Sequence, residues 1–398
     1  MALVAPGTFA SMRLLLTAWA LAAAGWAAAQ FQEVQVAVLH GKGVTSATLM
    51  GLRGAMAVLA DGRQVGELAP NDGLRVALED GRLVGRSLSA TWTARDRITL
   101  RAPFGGGVRL RAVVPKLPER VYSGSIDIRR SGTELRFVNE VKLEDYVAGV
   151  VESEAGAQQA PEYYKLQAVG CRTYALANAR KHAPEGFELC DQVHCQVYKG
   201  RATHAPITEA ALATRGMVVV DADIRLIHAT FHSNCGGETL NAEDIWSKAE
   251  PYLQATTDSF CIAQPHATWT TTIPKADWLT YMERKHGLRI ADEAVRAELL
   301  AHEPQCRGLY LNTTKPLVPL KQLREDWKLR STYFTVRTAG DQVVLDGRGF
   351  GHGVGLCQEG AMEMARQGIP FMDILHHYYR DVHLVDLSSL EFFRDEGE

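Results

Sequence analysis

From residue 34 to residue 114 apolar and polar side chains alternate in short runs: VQVAVL, ATLMGL, AMAVLA, LRVALE, RITLRA and VRLRAVV. Period-two alternation puts the apolar members on one face of a strand. Asn71-Asp72-Gly73 and Asp80-Gly81 break the runs at the spacing of an all-β sandwich or barrel. YSGSIDIRR and ELRFVNEV predict two more strands between Pro115 and Val141. The period then changes. Leu143, Val147, Val150 and Val151 recur at helical spacing, and Pro161 opens a second helix with Leu166, Val169, Thr173 and Leu176 on one stripe. Glu152, Ser153, Glu154, Ala155 and Gly156 are expected in a hinge between the two helices. Further strands follow in MVVVD, LIHATFHS, YFTVRTA and QVVLDG, and helices in Gln358–Arg366 and Phe371–Tyr379. A more helical stretch around Pro274 to His302 reads as part of an insertion. The expected fold class is α+β. An all-β domain at 30–116 precedes a mixed α/β domain at 117–386, with a helical insertion at about 265–340 and an acidic tail at 387–398.

Composition adds three limits. With 398 residues, 46% of them hydrophobic, the chain has enough apolar material for a full core in one large or two smaller domains. The 43 Lys and Arg against 46 Asp and Glu leave a formal charge of -3, so no basic field points to nucleic acid as a partner. Residues 1–29 combine Arg13, an apolar run from Leu14 to Ala24, and small residues at Ala27 and Ala29, the pattern of a signal peptide. No later stretch is apolar for long enough to span a bilayer. The expected location is therefore outside the cytoplasm, in the periplasm or on the cell-wall side of the membrane.

Export bears on the seven cysteines, since disulfides persist in an oxidising compartment. Cys190 and Cys195, with His194 between them and His182 eight residues upstream, supply two sulfur and two imidazole donors. Zinc and a local disulfide both fit that spacing. Cys235 and Cys261 are expected as a disulfide across the loop carrying Trp246. Five glycines alternate with other residues from Gly347 to Gly355, which on a strand would leave one face bare, either as a groove floor for a polymer or as a seat for tight packing. Glu152 and Glu154 are candidate acids beside the small Ala155-Gly156. Lys165 and Arg172 lie two turns apart on one helical face, about 10 Å between Cα atoms. That stripe reads either as a cradle for a polar ligand or as a solvated face. His232 and Ser233 are adjacent, so as strand neighbours they point to opposite faces and do not pair as base and nucleophile.

Taken together, LEDYVAGVVESEAG, YYKLQAVGCRTYAL, CDQVHCQVYKG, HSNCGGET, PYLQATTD and GRGFGHGVGLCQEGAMEMA with ILHHYY resemble the SpoIID/LytB family of bacterial cell-wall proteins, in that family's order. The resemblance runs from about Tyr122 to Tyr379. It implies a peptidoglycan lytic transglycosylase with Glu154 as the catalytic acid, aligned with the glutamate of a Glu-Met-Pro motif whose Met-Pro is Ala155-Gly156 here. It also implies substrate contacts from Lys165, Arg172, Tyr198, His232, Ser233, His352 and Gln358, and structural zinc on Cys190, His194 and Cys195 with His182 as a further ligand. The implied partners are peptidoglycan glycan strands and, in the enhancer branch of the family, a cell-wall amidase.

Overall fold

The computed structural model describes residues 33–389. The signal peptide expected at 1–29 and residues 390–398 of the expected tail lie outside the described residues. The fold is α+β, and it divides into two compact units: residues 33–157, 175–218 and 385–389 form one, and 158–174 with 219–384 form the other.

The first unit begins with twelve strands: β1 (Glu33–Val38), β2 (Ser46–Gly51), β3 (Met56–Ala60), β4 (Arg63–Leu68), β5 (Gly73–Glu79), β6 (Arg82–Arg86), β7 (Thr91–Ala94), β8 (Arg97–Arg101), β9 (Gly107–Val114), β10 (Arg120–Ser123), β11 (Ser125–Ser131) and β12 (Glu134–Lys142). Helix α1 (Leu143–Ala155) follows, then β13 (Leu189–Cys190), α3 (Ala205–Ala213) and β14 (Met217–Val220), while α2 (Pro161–Ala177), which comes between α1 and β13 in the chain, belongs for all but its last three residues to the second unit. Two sheets result, ordered β13-β1-β12-β11-β8-β3-β4 and β10-β9-β2-β5-β6-β7. Alternation buries Val58, Ile98, Leu100, Ile126 and Phe137 in the first, and Leu49, Leu74, Val76, Leu83 and Leu110 in the second. The faces meet as a sandwich: a Cβ on Gly85 of β6 would stand 3.0 Å from Leu74 and 3.4 Å from Ile98 of the other sheet.

The boundary expected at residue 116 does not separate two sheets. β12 pairs antiparallel with β1 (Val36↔Asn139) and β11 with β8 (Ile126↔Leu100), so residues on both sides of that boundary share one sheet. Alternation reveals which face of a strand is buried but not which strand lies beside it. The hinge expected at 152–156 is also shorter. Glu152 to Ala155 belong to α1, which buries Leu143, Tyr146, Val147, Val150 and Val151 and stops at Gly156, whose φ of 69° directs its N–H to the Glu152 carbonyl.

In the second unit, β15 (Phe231–His232), α4 (Ala242–Trp246), β16 (Thr268–Pro274), α5 (Lys275–His286), α6 (Glu293–Leu300), α7 (Leu320–Asp326), β17 (Tyr333–Ala339), β18 (Gln342–Arg348), β19 (Leu356–Cys357), α8 (Gln358–Arg366) and α9 (Phe371–Tyr378) follow in order. The expected insertion holds strands as well as helices. β16 and β17 flank β18 in an antiparallel sheet, and α5, α6 and α7 close over it around Trp269, Trp278, Met282, Leu299, Leu323 and Phe334.

Beyond Arg348 the glycine run is not a strand, and of the two readings of the run it is tight packing that the structure shows. β18 ends at Arg348, and Gly349, Gly351, Gly353 and Gly355 all have positive φ, between 71° and 121°. None of the five offers a bare face to a polymer. A Cβ on Gly347 would strike the Trp269 indole at 2.0 Å, one on Gly353 the Arg307 guanidinium at 2.2 Å, and one on Gly355 the Thr230 carbonyl at 2.4 Å. Close packing is what these positions require. A left-handed residue at every second position cannot sustain a strand.

Candidate catalytic carboxylate and cysteine–histidine cluster

The last turn of α1 and the loop after β13 are joined through three consecutive side chains. Glu152 accepts hydrogen bonds from the Thr203 N–H (2.7 Å), the Thr203 hydroxyl (2.9 Å) and the His204 N–H (2.9 Å), at the start of α3. Ser153 Oγ accepts from the Lys199 N–H at 3.0 Å and donates to the Gly149 carbonyl at 2.7 Å. Glu154 Oε1 accepts from the Val197 N–H at 2.9 Å. Gly149 allows the close approach, because a Cβ there would lie 2.2 Å from the Gly200 carbonyl and 2.6 Å from the Tyr198 ring.

These contacts separate the two glutamates that spacing alone leaves equal. Glu152 caps a helix N-terminus, where a carboxylate is favoured by the orphan amides and the helix dipole. Glu154 is half-buried, and burial raises its carboxyl above the usual carboxylate range against the opposing pull of the Val197 N–H and the Lys199 ammonium. Its Oε2 has no hydrogen-bond partner among the described residues. The arrangement is a carboxyl group inclined to hold a proton, with one oxygen fixed and the other free.

The same loop carries His194 and Cys195 of the cysteine–histidine set, while Cys190 ends β13 and His182 precedes that strand. β13 pairs parallel with β1 and fixes Cys190. Asp191, buried behind it, accepts from the Leu39 and His40 N–H groups and from Arg120 at 2.8 Å. Cys195 Sγ lies 3.4 Å from His182 Nε2 and 3.9 Å from His194 Nδ1, and Cys190 Sγ lies 3.9 Å from His194 Nδ1. All four donor atoms fall within 4.8 Å of one another. A tetrahedral zinc with bonds of about 2.3 Å to sulfur and 2.0 Å to nitrogen spaces its ligands by roughly 3.3–3.8 Å. The donor set is of the Cys₂His₂ type, and Glu185 Oε1 holds His182 Nδ1 at 2.7 Å, which leaves Nε2 facing the sulfurs. The hydrogen bond from the Cys195 thiol lowers the pKa of the Cys190 thiol, which favours the thiolate that a metal takes.

The remaining expected residues are placed differently. Lys165 is half-buried and paired with Glu162 at 2.6 Å, whereas Arg172 is fully buried, so the two do not form a basic stripe on the surface. Residues 165 and 172 share a helical face, but that face is packed at 172. Tyr198 is also fully buried, with its hydroxyl 3.1 Å from Asn139 Oδ1. His232 is buried, its Nδ1 3.3 Å from the Val354 carbonyl and its Nε2 without a partner. Its ring lies 5.3 Å from that of His352. His352 accepts from the Val354 N–H at Nδ1 and faces the Phe231 carbonyl at 3.0 Å through Nε2, and burial lowers its pKa to about 4. Gln358 is buried with Nε2 unpartnered, and Ser233 is half-buried, its carbonyl accepting from Glu359. The disulfide expected between Cys235 and Cys261 is not formed. The two sulfurs lie 3.4 Å apart, beyond bonding distance, and share their surroundings with Cys357 and Asp258. Val197 and Lys199 escape sequence reasoning because one acts through its backbone and the other through its field. Asp258 does so because it stands only as the last residue of PYLQATTD, where nothing local shows which cysteines it meets.

Residues 131–220 match the family described as SpoIID, stage II sporulation protein. The chain is 31% identical over 272 residues to stage II sporulation protein D of Bacillus amyloliquefaciens, covering 63% of this chain and 76% of that protein. It is 30% identical over 287 residues to stage II sporulation protein D of Bacillus subtilis, covering 68% and 82%. An amidase enhancer of Bacillus subtilis is 25% identical over 281 residues, which is 58% of this chain and 39% of that protein. The protein belongs to the stage II sporulation protein D family. No helix among the described residues is long and apolar enough to cross a membrane.

Proposed function

We propose that this protein, whose family membership supports a peptidoglycan-related role, cleaves glycan strands as an exported lytic transglycosylase with Glu154 as its single acid and base. The supporting observation is the division between neighbours: Glu152 is committed to capping α3, while Glu154 has a free oxygen and a carboxyl that burial raises. In the reaction the protonated Glu154 delivers its proton to the glycosidic oxygen as the bond from C1 of the muramic sugar breaks. The resulting carboxylate then takes the proton of that sugar's 6-hydroxyl as O6 bonds to C1, leaving a 1,6-anhydro end and a reprotonated Glu154. No water is consumed, and one carboxyl group serves both steps, unlike the two-carboxylate hydrolytic scheme.

Zinc on Cys190, Cys195, His182 and His194 fits this reading as a structural element. When bound, it supplies a tetrahedral cross-link of those four side chains. Its effect on Glu154 passes through the chain: the cross-linked loop carries the Val197 amide that fixes Oε1.

Glycan strands freed of stem peptides, incubated with the purified protein and analysed by mass spectrometry, test the proposal. Anhydro-ended fragments are expected from the wild type and not from Glu154→Gln. Equal product from both proteins would exclude Glu154 as the acid, and no product from the wild type would exclude the activity. A second reading, a non-catalytic wall protein that stimulates a cell-wall amidase, is favoured by Ala155-Gly156 following Glu154 and by the likeness to an amidase enhancer. Stimulation of an amidase by wild type and Glu154→Gln alike, without anhydro products, is its signature.

A further inference from the structure

A second cluster in the other unit has no part in the chemistry above. Cys235, Cys261, Cys357 and Asp258 are all fully buried, and their sulfur and carboxylate atoms lie within 4.8 Å of one another. Cys235 Sγ is 3.4 Å from Cys261 Sγ and 3.4 Å from Asp258 Oδ2. Three separate segments supply them: the loop after β15, the loop before β16, and the residue preceding α8.

From this geometry we infer a second metal site, a closed Cys₃Asp centre for a thiophilic divalent cation of the zinc type. Four donors at these separations match a single tetrahedral ion, with sulfurs about 3.8 Å apart when each bond is about 2.3 Å. They are too close together to surround a multi-iron cluster. A disulfide between any two cysteines would leave a third thiol and a carboxylate enclosed with no cation. Asp258 has no ion pair among the described residues, and a buried carboxylate without a counter-charge is costly.

The surroundings suit an anionic ligand set around a cation. The Cys235 N–H lies 3.3 Å from Cys357 Sγ, and Arg307 donates to the Cys235 carbonyl at 3.1 Å. Asp258 Oδ1 is occupied by the Phe260 and Cys261 N–H groups. Tyr378 donates to Oδ2 at 2.9 Å, the outer-shell contact that orients a ligating carboxylate. Gly360 leaves room for it, since a Cβ there would lie 2.2 Å from Oδ2 and 2.3 Å from the tyrosine oxygen. Four protein ligands and full burial leave no open coordination position, so the site is structural. It clamps the loop carrying His232 and Ser233 to the segment that begins α8 at Gln358.

Metal analysis of the full mature protein decides the matter, and its result does not depend on glycan cleavage. The Cys190→Ser/Cys195→Ser protein is expected to retain one zinc per chain, with Cys235, Cys261 and Cys357 all recovered as reduced thiols after denaturation. A metal-free protein, whether its cysteines are thiols or a disulfide, overturns the inference. Should that variant not fold, X-ray absorption of the wild type serves instead. An average of about 2.5 sulfur ligands per zinc with two ions bound, or 3 with one, supports the site, whereas 2 refutes it. Tyr378→Phe is expected to weaken zinc retention by about 10- to 100-fold in a chelator competition, and an unchanged affinity removes Tyr378 from the outer shell.

Discussion

Glu152 and Glu154 are two residues apart on one helix, and their substitution should produce opposite phenotypes. Glu152→Ala removes the acceptor of two backbone amides and one hydroxyl at the start of α3. Losing a capping acceptor costs about 0.5–2 kcal/mol, and losing a negative charge from a helix N-terminus costs about 0.3–1 kcal/mol more. Water reaches Thr203 and replaces part of the loss, so about 2 kcal/mol is expected. Glu154→Gln keeps an oxygen to accept from Val197 and removes a charge that burial opposes. The sign follows from proton uptake. With its folded pKa raised, Glu154 holds its proton more tightly folded than unfolded, so it costs nothing well below the usual carboxylate pKa of about 4.3 and increasingly destabilises as pH rises through the folded value. At neutral pH Glu154→Gln should therefore be as stable as the wild type or more so. Hydrogen exchange read by mass spectrometry over residues 197–213 is the assay. Local opening eased by about 2 kcal/mol accelerates exchange roughly 30-fold at Thr203 and His204 in Glu152→Ala, with no acceleration in Glu154→Gln. Unchanged exchange in Glu152→Ala, or equal acceleration in both, would refute the assignment of cap and acid.

Four further outcomes are expected. The basic limb of the glycan-cleavage profile should fall at a pH above the ordinary carboxyl range, because activity needs protonated Glu154; rates that decline from pH 4 upward would contradict this. Gly347→Ala should destabilise the second unit by about 1–3 kcal/mol in urea titrations followed by tryptophan fluorescence, because its Cβ meets the Trp269 indole, whose Nε1 donates to Ser331 at 3.1 Å. Gly170→Ala in α2, where a Cβ meets nothing within 4 Å, should instead stabilise by about 0.5–1 kcal/mol, and a reversal of this order would discredit the packing argument. His352 is held neutral with its pKa near 4, so the stability it confers is complete above about pH 6.5 and is lost as pH falls toward 4. Replacing it with Gln should flatten that part of the stability profile, as measured by urea midpoints at pH 4.5 and 7.

Much of this organisation can be read from residue patterns, and the failures share one physical cause. Strands β1, β2, β3, β5, β8 and β9, the start of α2 at Pro161 and the helix from Gln358 to Arg366 follow from local periodicity, because each buries a face defined within a few residues, whereas the short β4, β6 and β7 give no run of their own. What periodicity lacks is partner identity. β11 and β12 alternate as cleanly as their neighbours, yet nothing local says that they enter the sheet beside β1 and β8. The glycine run shows the same limit: alternation at 347–355 suggests a strand, while the reason for each glycine is a distant group such as Trp269, Arg307 or Thr230. Arg172 stands at a helical spacing from Lys165 that cannot reveal that its own side chain is enclosed. The gathering of His182 with Cys190, His194 and Cys195 is legible because all four lie within fourteen residues. Cys235, Asp258, Cys261 and Cys357 are not legible as a group, since 122 residues separate Cys235 from Cys357.

The position of β1 bears on how the chain reaches its folded state. Val36 pairs with Asn139, 103 residues later, and the Leu39 amide is held by Asp191, 152 residues away. Pairings of such long range form late and slow folding. Until Leu189 and Cys190 join it, β1 is an unsatisfied edge, a template for association with other chains in the interval. A fragment ending at residue 116 carries that edge permanently and should aggregate. The hazard ends only when the loop bearing the Cys190 cluster joins the sheet, so folding of the first strand and assembly of the loop that holds Glu154 are one event.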